Sequence, residues 1–192
     1  MVYTAVTDPA CYPNSDVLRN KENLRDAALL EEFELAMFLT RSEENWPVGT
    51  YDLEHYCRLH HHLFQDVYEW AGELRKIRIG KGGNWFCFPD NIYDQLNQLF
   101  NTLIEEHWFQ DLAKSDFIPK AAHFLAELNA IHPFREGNGR TQMAFMIMLC
   151  ENAGFTFDDT TLDPNRVIDA MITSFSGNES QLRELLDQSI SN

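Results

Sequence analysis

Residues 132–152 read His132-Pro133-Phe134-Arg135-Glu136-Gly137-Asn138-Gly139-Arg140 and then Thr141-Gln142-Met143-Ala144-Phe145-Met146-Ile147-Met148-Leu149-Cys150-Glu151-Asn152. The part from 140 to 152 is a helical pattern that is apolar nearly all round, so it belongs at the centre of a helical fold rather than on its surface. Gly154 is its natural stop. Pro133 disfavours helical geometry in the residue before it, so the preceding helix, 119–131, ends near His132 and that ring can leave the core. Phe134 anchors the loop inward. The start of the central helix offers unpaired N–H groups and the positive end of a macrodipole. Gly137 and Gly139 carry no side chain, so a ligand can approach the backbone closely. Together these make a phosphate cradle, and Arg140 sets a permanent positive charge beside it. Glu136 conflicts with phosphate unless a divalent cation joins them, the carboxylate holding Mg²⁺ and the ion bridging phosphate oxygens. His132, with an ordinary pKa near ~6.5, can then accept a proton from an incoming hydroxyl.

Outward from this stretch the pattern stays helical. Apolar residues at helical spacing predict helices over 23–39, 52–68 (capped by Asp52), 92–107 and 119–131, with Pro119 in its first turn, and further ones over 164–175 and 178–189. Residues 42–51, with Pro47 and Gly49, read as a loop. Residues 75–88 break the helical period: Ile77 and Ile79 alternate with Arg78 and Gly80, Gly80-Lys81-Gly82-Gly83 makes a turn, and Trp85-Phe86-Cys87-Phe88 follows. This predicts a β-hairpin. Residues 1–21 read as an irregular arm and 22–192 as one domain, a mainly α helical bundle around a buried helix with one protruding hairpin.

The bulk properties bound the function. With 192 residues the chain can bury a full core, and 14 phenylalanines make that core aromatic. The net charge of −15 argues against nucleic acid as a partner, and no basic stripe offsets it. No apolar run reaches the roughly 18–20 residues of a membrane span. Met1 to Pro13 lacks the basic start and apolar stretch of a secretory signal. The expected location is the cytoplasm of the cell that makes the protein, with delivery into another cell by a specialised system left open. Cys11, Cys57, Cys87 and Cys150 show neither C-x-x-C pairing nor zinc spacing and read as free thiols.

The string His132 to Arg140 resembles the signature of the Fic family, H-P-F-x-[DE]-G-N-[GK]-R-x-x-R, at every specified position except the last. Leu63-Phe64-x-x-Val67-Tyr68-x-Trp70-Ala71-Gly72-x-x-Arg75 is similar to the family's helix-to-hairpin segment, and Ile79-x-Lys81-Gly82-Gly83-x-x-Phe86 to its flap. Tyr12-Pro13-x-x-x-Val17-Leu18-Arg19-Asn20 is similar to the arm before many bacterial members. The resemblance implies the Fic fold and transfer of AMP from ATP to a Tyr, Thr or Ser hydroxyl of a target protein. It also implies roles. His132 is the general base, Glu136 holds Mg²⁺, and Gly137, Asn138, Gly139 and Arg140 bind the phosphates. The flap (Ile79, Lys81, Gly82, Gly83, Phe86) aligns the target, with Lys81 and Gly82 also reaching the nucleotide. Gly177-Asn178 resembles a spot near the nucleotide base, which makes Asn178 a further contact. The alternatives are another Fic-type transfer (UMP, phosphocholine or phosphate) and a binding module that no longer turns over nucleotide.

The family's second arginine is Met143 here. In relatives that arginine meets the γ-phosphate or pairs with an inhibitory glutamate, and a methionine does neither. The inhibitory pattern [ST]-x-x-x-E-[GN] is matched at Thr40-Arg41-Ser42-Glu43-Glu44-Asn45, at the end of a core helix, and nowhere in the tail from Ser176 to Asn192. The resemblance therefore implies a free-standing enzyme, the toxin of a toxin–antitoxin pair, restrained by a separate small antitoxin that carries the inhibitory helix. Similar toxins modify DNA topoisomerases, which makes one the expected target class. His55 and His60-His61-His62 read as a partly exposed helix face rather than a metal site, and His123 with Glu127 as a contact on a helix surface.

Overall fold

A computed structural model describes residues 8–191. Over these residues the chain forms helices α1 (Ala27–Ser42) and α2 (Leu53–Phe64), a hairpin of β1 (Gly80–Lys81) and β2 (Asn84–Trp85), and helices α3 (Pro89–Glu105), α4 (Lys114–Ile131) and α5 (Asn138–Asn152). It closes with β3 (Thr156–Phe157), α6 (Pro164–Ser174), α7 (Ser180–Ser189) and β4 (Ile190–Ser191). The expected α architecture stands. α5 lies inside, with Ala144, Phe145, Met146, Leu149 and Cys150 all buried, and it packs against α2, α4 and the β3 turn.

The phenylalanine-rich composition resolves into one aromatic cluster. Tyr56 of α2 lies 5.4 Å from Phe134 and Phe145 and 5.6 Å from Phe100, ring centre to ring centre. Phe134, placed in the loop that opens α5, is fully buried. Such pairs contribute about 0.5–1.5 kcal/mol each beyond their area. The loop is thus nailed to the core by its own aromatic side chain, which gives the residues around it a fixed geometry.

Several boundaries differ from the sequence reading. α1 starts at Ala27 rather than Asn23, because Asn20 binds both main-chain groups of Leu24 in a turn and Asp26 then caps the N–H groups of Ala28 and Leu29. α2 stops at Phe64. α3 starts at Pro89, a favourable first helical residue. α4 starts at Lys114 and takes Pro119 into its interior, because Phe117 and Ile118 are buried and hold the extra turn. The hairpin strands are two residues each, Gly80 opposite Trp85 and Lys81 opposite Asn84. Pairing of Thr156 with Ser191, too short to leave an alternating pattern, was not expected. Within the arm, Cys11 bridges to Leu18 and both side chains join the core. Residues 1–7 and 192 lie outside the described residues.

Candidate active site

His132 is the C-cap of α4, with φ 51° and ψ 64° in the left-handed region, and its N–H donates to the Leu128 carbonyl at 3.0 Å. For a residue with a Cβ this conformation costs about 1–2 kcal/mol; the helix ends at the residue before Pro133, as read from the sequence, but in the left-handed region rather than the extended one a following proline favours. The ring Nδ1 lies 3.2 Å from the Asn129 carbonyl oxygen. A carbonyl only accepts, so Nδ1 carries the proton and the basic lone pair lies on Nε2. The ring is buried flat against Phe86, 3.8 Å between centres and 9° between planes. Burial pulls the imidazole pKa down to about 3. The Asn129 hydrogen bond opposes this, and the charges of Lys81 and Arg75 add to it. The histidine is therefore neutral at any ordinary pH.

Arg75 fixes this exit to the hairpin. Its Nε donates to the His132 carbonyl at 2.8 Å, Nη1 to Ile77 at 2.6 Å, and Nη2 to Cys87 at 2.6 Å and Ile131 at 3.2 Å. Five donors in a rigid fork suit this multipoint hold on carbonyls from the end of α4 and both limbs of the flap.

The loop itself is shaped by Gly137 and Asn138. Gly137 has φ 78°, and an added Cβ would lie 2.4 Å from the Phe64 ring, so no side chain fits. Gly139 is the opposite: it is exposed, and an added Cβ meets no atom within 4 Å. The start of α5 carries no side-chain cap hydrogen bond, which leaves the unpaired N–H groups of its first turn without a side-chain partner there. Asn138, expected among the phosphate-binding residues, has its side chain turned to the protein. It is fully buried, its Oδ1 accepts from the Phe134 N–H and its Nδ2 donates to the Phe134 carbonyl, both at 2.9 Å. What it can offer a ligand is its main-chain N–H.

Glu136 sits recessed at the loop's mouth, with 29% of its side chain exposed. Its Oε1 accepts from the Gly137 N–H at 2.9 Å and lies 3.9 Å from Arg140 Nη2. Its pKa is raised, by burial first and then by the Glu34 charge. A carboxylate whose charge is poorly compensated suits a divalent cation. Among the described residues no three His, Cys, Asp or Glu side chains converge as a metal cage. Magnesium here would take Glu136 and complete its shell with phosphate and water oxygens, its usual preference. The Arg140 guanidinium lies 4.7 Å from the Phe64 ring centre and 5.3 Å from that of Phe38, and its Nη2 donates to Glu34 of α1. Glu34 also accepts from the Tyr68 hydroxyl.

Glu34 was missed from the sequence, although a carboxylate four residues from both Leu30 and Phe38 stands inside the apolar stripe of α1 and was a readable signal. Asp8 was missed too: it binds Arg135 Nε at 2.6 Å with both side chains nearly buried, tying the arm to the loop. No local pattern announces a contact over that separation.

The flap residues divide. Lys81 reaches far enough to act on the His132 charge state, and Gly82 and Gly83 adopt φ 60° and 87° in open space. Phe86 covers His132. Ile79, expected to align a target, is fully buried; its carbonyl receives the Phe86 N–H at 3.1 Å, so its side chain anchors the flap from within. Asn178 is exposed and its Oδ1 accepts from the Ser180 N–H at 3.1 Å. The turn that bears it also carries Phe175, edge-on to Phe86 at 5.6 Å, so it borders the flap.

The histidine-rich face of α2 is less exposed than expected. His55 and His60 are buried, and a ring nitrogen in each of the four histidines pairs with a main-chain carbonyl. His123 does not pair with Glu127; its Nδ1 lies 2.7 Å from Glu179 at the start of α7, a closer partner than the helix surface provides.

Fold and site define a class: a helical enzyme domain in which a glycine-opened loop leads from a buried histidine at the end of one helix into an interior helix. The chain belongs to the Fic/DOC family, whose model matches residues 50–150. A relative from Sinorhizobium fredii, named "Probable protein adenylyltransferase y4lH", is 52% identical over 94% of both chains. "Protein adenylyltransferase VbhT" of Bartonella schoenbuchensis is 34% identical over 98% of this chain and 40% of its own length. The crystal structure of the BepC protein of Bartonella tribocorum with bound AMPPNP superposes with a TM-score of 0.87 at 25% identity, covering 95% of this chain and 96% of that one. Among the described residues no helix is long and apolar enough to cross a membrane.

Proposed function

We infer that the protein is an adenylyltransferase that moves AMP from ATP to a Tyr, Thr or Ser hydroxyl of another protein. The observation that carries this reading is the start of α5, without a side-chain cap and with open space at Gly139, in the nine-residue stretch that also holds His132, Glu136 and Arg140. The triphosphate lies along the first N–H groups of α5, with Arg140 beside it. Magnesium held by Glu136 would offset charge on the phosphate oxygens. The target hydroxyl oxygen attacks the α-phosphorus, and the bond from that phosphorus to the oxygen bridging the β-phosphate breaks. Diphosphate leaves, and the hydroxyl proton passes to Nε2 of His132. A base with a pKa near 3 is weak. The negative triphosphate beside it favours the imidazolium and moves that value upward as the site fills. Target entry requires displacing Phe86 from the ring, which gives the flap a second duty besides aligning a strand of the target along its edge.

The restraint falls to a separate small antitoxin with an inhibitory helix. Glu44, in the one internal match to the inhibitory pattern, is held by Arg41 at 3.0 Å and supports reading that match as ordinary structure. The work is done in the bacterial cytoplasm, and a DNA topoisomerase is the first target to try. The test is incubation with Mg²⁺, a cell lysate and ATP labelled at the α-phosphate. Label on a protein band with wild type and not with His132→Ala is the expected result. Label from the γ-phosphate instead points to phosphate transfer, and no label from either position overturns the adenylyl reading.

A further inference from the structure

Arg140 has a buried partner that the transfer chemistry does not use. Glu34, 8% exposed, stands on α1, far from the loop in sequence. One of its oxygens takes Arg140 Nη2 and the other takes the Tyr68 hydroxyl. Tyr68 is itself held by stacking on Trp70, 4.3 Å between centres and 17° between planes. The guanidinium therefore meets two aromatic rings, Phe38 and Phe64, and one carboxylate at a single corner. Those contacts hold the guanidinium in place and occupy only Nη2.

We propose that Glu34 is a positioning residue for the nucleotide: it fastens Arg140 by Nη2 so that the rest of the fork faces the phosphates. The proposal rests on the adenylyl reading for the identity of the ligand. Two features favour a holder over a competitor of phosphate. The contact takes one nitrogen, whereas a carboxylate that blocked the arginine would take the fork in pairs. And Glu136 waits 3.9 Å from the same Nη2, four residues away on the same loop and helix. Without Glu34 the guanidinium swings to Glu136, the nearest remaining carboxylate, and withdraws from the phosphates the side chain meant for the metal. Because Met143 stands where the family has a second arginine, and Arg135 is paired with Asp8, the aim of Arg140 matters more.

Binding of AMPPNP with Mg²⁺, measured by calorimetry on the full chain, tests this. Glu34→Gln keeps the shape but presents an amide donor to one of two donors. It weakens binding about tenfold in the wild-type background, the scale of one lost charge-assisted bond, and less than about twofold when Arg140 is already Gln. Tyr68→Phe, which removes one hydroxyl and is the milder change if Glu34→Gln folds poorly, weakens binding about threefold. Equal losses for Glu34→Gln in both backgrounds would mark a general structural role and overturn the proposal. Binding that tightens on Glu34→Gln would make Glu34 a competitor and overturn it too. Wild type that binds no nucleotide would instead remove the adenylyl reading beneath it.

Discussion

His60 of α2 and His132 at the end of α4 occupy nearly the same environment and do different things. Both are buried, both have their pKa lowered to about 3 by burial, and both lie flat on a phenylalanine at 3.8 Å, His60 on Phe134 and His132 on Phe86. The hydrogen bonds separate them. His60 Nδ1 accepts from the Gly72 N–H at 2.8 Å, so its Nε2 carries the proton and donates to the Glu136 carbonyl at 3.0 Å. Its lone pair is committed to the backbone. In His132 the proton is on Nδ1, and the lone pair lies on the other nitrogen. A depressed pKa thus does not tell the two histidines apart; the tautomer that their hydrogen bonds fix does. His60 instead holds the main-chain carbonyl of Glu136.

Substitution breaks the pair apart most strongly in rate. His132→Ala should lower AMP transfer by about 10³, within the range of a lost general base. His60→Ala should leave transfer per folded molecule within about tenfold. If both variants lose transfer equally while remaining folded, the distinction fails. Stability should move the other way. His60→Ala removes a packed ring and leaves the Gly72 N–H and the Glu136 carbonyl unpaired, a loss of about 3 kcal/mol in urea unfolding.

The pH dependence sharpens the likeness rather than the difference. Both imidazoles have folded pKa values near 3, below the ~6.5 of an unfolded chain. Their contribution is complete above pH ~6.5 and is lost as pH falls from there toward 3, because the unfolded chain takes up protons the native chain refuses. Each contributes a slope of up to about 1.4 kcal/mol per pH unit. His60→Phe should therefore reduce the wild-type slope between pH 6 and 4 by about that amount, and an unchanged slope would mean that His60 titrates in the fold. The smallest effect expected is for Met143→Arg on the catalytic side. It should tighten ATP binding by about fivefold with less change in the chemical step, and no gain in either would reject a weakened γ-phosphate grip.

The sequence determined the helical class, the central position of the stretch after Arg140, the exit at His132 and the glycine-opened loop between them. All of these follow from local rules: the apolar period, the restriction imposed by Pro133, and the open backbone at glycines. Gly137 and Gly139 looked alike in the chain, and only the fold distinguished a position closed by Phe64 from one open to solvent. The tertiary structure alone decided that Asn138 serves Phe134, that Ile79 points inward, which tautomer each histidine holds, and that Glu34 and Asp8 come to the loop. Those outcomes depend on which distant groups are brought within about 3 Å, because a hydrogen bond is lost over a fraction of an ångström. A periodic pattern reports the face a residue turns to the core; it carries no information about the particular atom it meets there.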